Sequence, residues 1–120
     1  MGRLKDMIKS GGENIYPAEV EDLMHDHPNI AEAALIPVPD PKWGEVSRAI
    51  VVLKPGAGMT EADLIEWLRE RMAHYKVPKS VVFVDAFPKT AANKVDNQKL
   101  FEQYGLQHAV RYTHFASREE

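Results

Sequence analysis

Leu4-Lys5-Asp6-Met7-Ile8-Lys9-Ser10-Gly11-Gly12-Glu13-Asn14-Ile15-Tyr16-Pro17-Ala18-Glu19-Val20-Glu21 sets the organisation of the chain. Leu4 to Ser10 alternates charged and apolar residues, the pattern of a half-buried strand. Gly11-Gly12 supplies a turn, because glycine reaches positive φ without a steric clash. Glu13 to Tyr16 then reads as a short return strand, completing a hairpin. At Pro17 the period changes. Proline fits the first helical position, where its missing N–H costs nothing. Glu19, Glu21 and Asp22 place negative charge in the first turns, which the helix dipole favours. Val20, Leu23, Met24 and His27 fall at i, i+3, i+4 and i+7 and form one inward stripe, and Pro28 stops the helix.

Beyond this segment, Ile30 to Val38 is dominated by Ala, Leu, Ile and Val and predicts a buried strand. Pro39-Asp40-Pro41-Lys42-Trp43-Gly44 reads as a loop, and Val46 to Leu53 as a second strand rich in β-branched residues. Pro55-Gly56-Ala57-Gly58 makes the next break. Thr60 is a good N-cap, with Asp63 three residues on as a weaker capping box. Leu64, Leu68 and Met72, flanked by Ile65, line a helix expected to run to about Ala73. Ser80 to Val84 predicts a third core strand, and Asp96 to Tyr104 a short helix that Gly105 ends. The sum is an α+β domain, a leading β-hairpin followed by a small, roughly three-stranded sheet covered by helices.

The length of 120 residues suits one modest domain. A chain of this size buries roughly two-thirds of the surface it exposes when unfolded, so an independent core is feasible. Composition is ordinary for a globular protein, at 44% hydrophobic and 28% charged. The net charge of −3 argues against nucleic acid as a partner, which requires a basic face. The absence of cysteine excludes disulfides and thiolate metal sites and is compatible with a cytoplasmic location. No apolar run approaches the roughly 20 residues that span a bilayer. Met1 to Lys9 lacks the apolar stretch of a signal peptide. The five histidines show no metal-ligand spacing; His25 and His27, two apart, point to different sides of a helix. No serine stands in a nucleophile elbow. No metal and no covalent nucleophile are assigned.

Lys94 is one of nine lysines, and a surface lysine is ordinarily a solvated charge. It stands on a loop between a strand and a helix, after Thr90, Ala91, Ala92 and Asn93, where its long arm is free to reach outward. An ammonium on a four-carbon stem suits negative charge developing on phosphate or carboxylate. Spacing alone takes the reading no further.

Five ordered landmarks take it further. Gly2-Arg3 and the segment quoted above to Glu21 are the first. Val38-Pro39-Asp40-Pro41-Lys42-Trp43-Gly44-Glu45 and Tyr75-Lys76-Val77-Pro78-Lys79 lie between. Phe87-Pro88-Lys89-Thr90-Ala91-Ala92-Asn93-Lys94-Val95 follows, and Leu100 closes the series. Together they resemble the C-terminal domain of the adenylate-forming enzymes, in particular the acyl-CoA synthetases, from Gly2 until the likeness fades after Leu100. The domain is accordingly expected at residues 1–104, with 105–120 a tail of weak periodicity, partly mobile.

The resemblance implies a two-step ligase reaction of the kind used in fatty acid metabolism. A carboxylic acid and ATP first give an acyl adenylate and pyrophosphate. The small domain then rotates, and the thiol of coenzyme A attacks the adenylate to give acyl-CoA and AMP. Lys94 matches the catalytic lysine of the first step, binding carboxylate and phosphate oxygens. Where many family members have glycine before this lysine, this chain has Asn93, the non-glycine residue that best tolerates the left-handed conformation.

Lys5 matches the hinge position, its plain alternative being an exposed strand lysine; hinges sit at element ends. Arg3 resembles an arginine that contacts the nucleotide, against an ordinary surface salt bridge. Gly11-Gly12 fits no phosphate-loop spacing and reads as a hairpin turn. In the family that hairpin swings in for the second step and lines the pantetheine tunnel, where small residues let backbone approach the ligand. Trp43 is either a core anchor or a contact for CoA. Lys76 and Lys79 would meet CoA phosphates or remain solvated, and Tyr75 shares that ambiguity.

The family's phosphate-binding loop and acyl pocket belong to the large N-terminal adenylation domain, and nothing like them occurs in this sequence. ATP and CoA are thus expected as substrates shared with that domain, acting in cis or in trans, and Mg2+ is expected for the full enzyme but not bound by this chain. Met1 directly before Gly2-Arg3 suggests an excised domain, a split gene product or a fragment. The alternative, from a different class, is a stand-alone α+β binding or regulatory module that keeps the fold without catalysis.

Overall fold

A computed structural model of the chain describes residues 7–106. β1 (Ile8–Ser10) and β2 (Glu13–Ile15) pair antiparallel, Ile8 opposite Ile15 and Ser10 opposite Glu13. Gly11 and Gly12 connect them with φ of 57° and 88°, the double positive φ of a two-residue hairpin turn. The earlier part of the expected first strand, Leu4 to Asp6, lies outside the described residues. α1 (Pro17–His25) begins with its proline in the first turn and buries Val20 and Met24, with Leu23 and His27 half-buried beside them.

β3 (Ile30–Asp40) and β4 (Gly44–Leu53) form the long antiparallel centre, in one register from Glu32 opposite Val52 to Asp40 opposite Gly44, with a shift before it where Ile30 meets Leu53. The expected loop from Pro39 to Gly44 is therefore shorter: Pro39 and Asp40 stay paired, and only Pro41, Lys42 and Trp43 turn. Pro39 is tolerated because its side of β3 faces away from β4. The same holds for Pro37. Leu35, in phase with both prolines, points its N–H outward to the Glu21 carboxylate on α1, at 2.8 Å. The outer edge of β3 thus offers no amide at positions 37 and 39 and a capped one at 35, which blunts it against pairing with another chain.

α2 (Glu61–Arg69) carries the expected capping box in full. Asp63 N donates to Thr60 Oγ1 at 3.1 Å, and Thr60 N to Asp63 Oδ2 at 3.0 Å. The same bonds hold the Asp63 carboxyl below its ordinary range, the bond from the Thr60 backbone amide contributing most. The helix stops at Arg69, short of the expected Ala73. Arg71 Nη1 donates to Trp67 O at 2.9 Å, and the Arg71 amide bonds Leu68 O, so the last turn unwinds around that side chain. A 3₁₀ turn (His74–Lys76) leads to β5 (Ser80–Phe83), which pairs parallel to β4 at Arg48 to Val51. The N–H of Val81 on β5 is capped by Glu61 of α2 at 2.8 Å.

The result is one five-stranded sheet in which the leading hairpin joins the three core strands: β2-β1-β4-β3, with β5 also on β4. Both faces are covered. On one, α1 and α2 pack Val20, Met24, Leu64 and Leu68 against Ala33, Leu35, Ala49 and Val51. On the other, Phe87 and Leu100 pack against Ala34, Ile36 and Ile50. That double burial is why Ile30 to Val38 reads as an almost unbroken apolar run.

α3 (Asn97–Phe101), capped by Asp96 accepting from Lys99 N at 3.0 Å, supplies Leu100. It continues as a wider π-type turn (Glu102–Leu106), so Gly105 does not end the helix as expected. A Cβ at Gly105 would press on the Phe101 ring, 2.7 Å away, and on Pro37 O at 3.3 Å. Glycine is there for close approach to β3 rather than for a positive φ. Residues 107–120, the larger part of the expected tail, lie outside the described residues.

Candidate functional site

The segment that crosses the second face, Phe87 to Leu100, carries Lys94 on a tight loop. Its base is fixed three ways: Phe87 is buried, Lys89 and Val95 form an antiparallel bridge, and Asp96 N donates to Pro88 O at 2.8 Å. Within the loop, Thr90 N donates to Lys94 O and Asn93 N to Thr90 O, each at 2.8 Å. Asn93 takes a φ of 63°, the left-handed value its amino-acid type was expected to accept. Lys89 Nζ lies 3.3 Å from Glu32 Oε1, which tethers the loop to the start of β3. Lys94 itself is exposed, and among the described residues its ammonium has no hydrogen-bond or ion-pair partner. It is a positive charge on a fixed base with a free arm.

The glycine hairpin stands at the opposite end of the sheet. Gly11 N donates to Trp43 O at 3.0 Å, and Lys9 N to Glu45 Oε1 at 3.2 Å, which ties the hairpin to the β3–β4 turn. That turn is built by Asp40, whose Oδ2 accepts from Lys42 N at 3.0 Å and Trp43 N at 2.8 Å. Trp43 is 43% exposed, so it is no core anchor. One edge of its ring lies where a Cβ of Gly11 would stand, and Lys42 Nζ sits 4.9 Å from its centroid. Glu32, beside the Lys94 loop, and Asp40, in the Trp43 turn, are eight residues apart on β3, about 26 Å along an extended strand.

The third expected group is less uniform. Lys76 Nζ is 2.8 Å from Glu19 Oε2, and that hydrogen bond and charge hold its ammonium above the usual lysine range. Lys79 is exposed, with its backbone N–H on Ser47 O at 2.9 Å. Tyr75 is 43% exposed. Arg3 and Lys5 lie outside the described residues. Among the described residues, no cluster of three or more His, Asp or Glu is arranged to hold a metal ion. No helix there is long and apolar enough to cross a membrane.

Sequence reasoning missed several residues that shape this site. Arg48 is 3% exposed and donates to Ser80 Oγ at 2.8 Å and to Tyr104 O at 2.6 Å, binding the C-terminal turn to β4. Nothing in a strand sequence marks an arginine as buried. The Asp40 turn was legible in principle, since an aspartate followed by a Pro-Lys-Trp stretch is ordinary turn chemistry. Thr90 likewise has hydroxyl-to-amide spacing within a short loop.

The family model described as the AMP-binding enzyme C-terminal domain matches residues 19–94, ending on Lys94 itself. A feruloyl-CoA synthase from an Amycolatopsis species is 50% identical over 103 residues, covering 86% of this chain and 21% of that protein. A long-chain-fatty-acid–CoA ligase from Mycobacterium tuberculosis is 46% identical over 102 residues, 85% of this chain and 20% of the other. ATP-bound MatB from Rhodopseudomonas palustris superposes with a TM-score of 0.79 at 38% identity, over 83% of this chain and 20% of that one. The chain spans about a fifth of the length of these relatives. With the fold, the loop bearing Lys94 and the extent of the sequence match in agreement, this chain belongs to the AMP-binding enzyme C-terminal domain family.

Proposed function

We propose that this chain is the mobile C-terminal domain of an ATP-dependent acyl-CoA synthetase, acting with a large N-terminal adenylation domain in cis or in trans. The observation that carries the reading is Lys94: exposed, without a partner among the described residues, on a loop braced at its base, and the last residue of the family match. In the first half-reaction the acid's carboxylate attacks phosphorus of ATP and pyrophosphate leaves. The Lys94 ammonium holds the carboxylate and phosphate oxygens together and offsets their charge, so its role is positioning and electrostatic stabilisation rather than proton transfer.

In the second half-reaction the CoA thiol attacks the acyl carbon and AMP leaves. The Gly11-Gly12 hairpin serves this step, with Trp43 beside it as a contact for CoA. Lys79 suits a CoA phosphate better than Lys76, whose charge Glu19 already engages. Two working ends beside Glu32 and Asp40, positions about 26 Å apart along β3, cannot serve a common centre in a single orientation, so the domain rotates between steps. Lys5 is the pivot of that rotation and Arg3 a nucleotide contact, both on the sequence pattern. ATP and CoA are the substrates, and Mg2+ accompanies ATP in the large domain. A cytoplasmic location suits a cysteine-free chain using those substrates.

The module that keeps the fold without catalysis is not favoured, because the relatives matched over most of this chain are acyl-CoA ligases. Reconstitution tests the reading. The purified chain alone should show no acid-dependent ATP–pyrophosphate exchange. Joined behind the large domain of the Amycolatopsis feruloyl-CoA synthase, in place of that protein's own C-terminal part, it should restore feruloyl-CoA formation. Exchange by the chain alone, or a chimera no better than the large domain alone, would count against it.

A further inference from the structure

The Lys94 loop contains a second side chain aimed at the lysine's own backbone. Thr90 Oγ1 accepts from Lys94 N and from Ala92 N, each at 3.3 Å. With Thr90 N donating to Lys94 O at 2.8 Å, both the amide and the carbonyl of Lys94 are held by one residue. Thr90, Ala92 and Lys94 are all exposed, so water would replace the hydroxyl if it were removed. Its loss therefore leaves no buried orphan amide and should barely affect stability. What it does affect is the number of conformations open to the loop. The base cannot compensate, since the Lys89–Val95 bridge and the Asp96–Pro88 bond fix only the loop's ends. Between those ends the path of Ala91 to Lys94 rests on Thr90, through its hydroxyl as well as its amide on Lys94 O and its carbonyl under Asn93 N, and on the left-handed φ of 63° at Asn93.

We propose that Thr90 is a positioning residue for Lys94: its hydroxyl holds the lysine backbone in the one loop conformation from which the ammonium reaches the adenylation centre. This rests on the reading of Lys94 given above. A free lysine arm samples many rotamers, and a backbone that also wandered would dilute the reactive geometry. Misplacement by about 1 Å can lower a rate by up to about a hundredfold. Thr90 touches no substrate. It acts through Lys94, in the first half-reaction only.

The test uses the chimera described above with Thr90→Val, Thr90→Ala and Thr90→Ser, alone and combined with Lys94→Ala. Thr90→Val and Thr90→Ala should lower kcat of adenylation about tenfold, leave KM for ATP within about twofold, and leave the thermal midpoint nearly unchanged. Thr90→Ser, which keeps the acceptor, should recover most of the rate. Feruloyl-CoA formation from preformed feruloyl adenylate should be unaffected by all of them. In the Lys94→Ala background, Thr90→Val should cause no further loss, because it acts through the missing ammonium.

Wild-type adenylation in Thr90→Val and Thr90→Ala, failure of serine to rescue, or additive loss on top of Lys94→Ala would overturn the positioning role. If Lys94→Ala is crippled while Thr90→Val is not, only that role falls. If Lys94→Ala has no effect, the reading of Lys94 falls and the positioning role with it.

Discussion

Asn93 and Gly11 both take positive φ, 63° and 57°, for different physical reasons. At Asn93 the backbone alone makes the demand, and a short polar side chain meets it at little cost. Asn93→Gly should keep adenylation in a two-domain assembly, whereas Asn93→Val should lose about 1–2 kcal/mol of chain stability and slow adenylation, measured by denaturation and pyrophosphate exchange. At Gly11 the neighbouring ring adds a second demand, because a Cβ would enter the Trp43 ring. At Gly12, φ is 88° and the space for a Cβ is open. Gly12→Ala should therefore cost only the backbone strain, about 1 kcal/mol. Gly11→Ala should cost more and shift the emission of Trp43, which a Trp67→Phe background isolates. The left-handed need before Lys94 was legible from the glycine that many family members carry there, a shape asparagine can keep. The ring over Gly11 was not, since it depends on a contact between segments far apart in sequence.

Helix starts were easier to read than helix ends. Thr60 and Asp63 announce the start of α2 by their spacing, and Thr60→Ala should lower stability by about 1 kcal/mol in urea unfolding. The end of α2 was misplaced because an arginine side chain, not a sequence signal, takes over the Trp67 carbonyl. The same arginine joins α2 to α1. Its guanidinium lies 4.1 Å from the Trp67 ring centroid, and His27, just past the end of α1, packs on that ring at 4.8 Å. Burial first, and the Arg71 charge second, hold the His27 imidazole below its ordinary 6.5. Between the folded and ordinary values the unfolded chain binds more protons. The His27 contribution is thus complete above pH 6.5 and falls away as pH drops below it. Unfolding midpoints should decline from pH 7.5 toward 5.5, and His27→Gln should flatten that decline. Strand edges carried their own signal: Pro37 was read within the strand, but Pro39, in phase with it and with Leu35, was legible as a strand residue only once their shared outward side was known.

At the scale of the molecule, the run Ile30 to Val38 foretold a buried strand, and the fold covers it on both faces. Strand order stayed unreadable, because β4 takes β3, β5 and β1 as neighbours through connections whose length fixes nothing. The candidate site was legible as a set of residues and illegible as a layout. Lys94 and the Gly11-Gly12 hairpin were named from pattern, but their placement at opposite ends of the central strands came from the Lys89–Glu32 tether and the Gly11–Trp43 bond. That layout predicts a clean division of labour. Lys94→Ala in the two-domain chimera should abolish most acid-dependent ATP–pyrophosphate exchange, by about a hundredfold or more, while conversion of preformed feruloyl adenylate to feruloyl-CoA continues at nearly the unaltered rate. Equal loss of both half-reactions, or loss of neither, would contradict it.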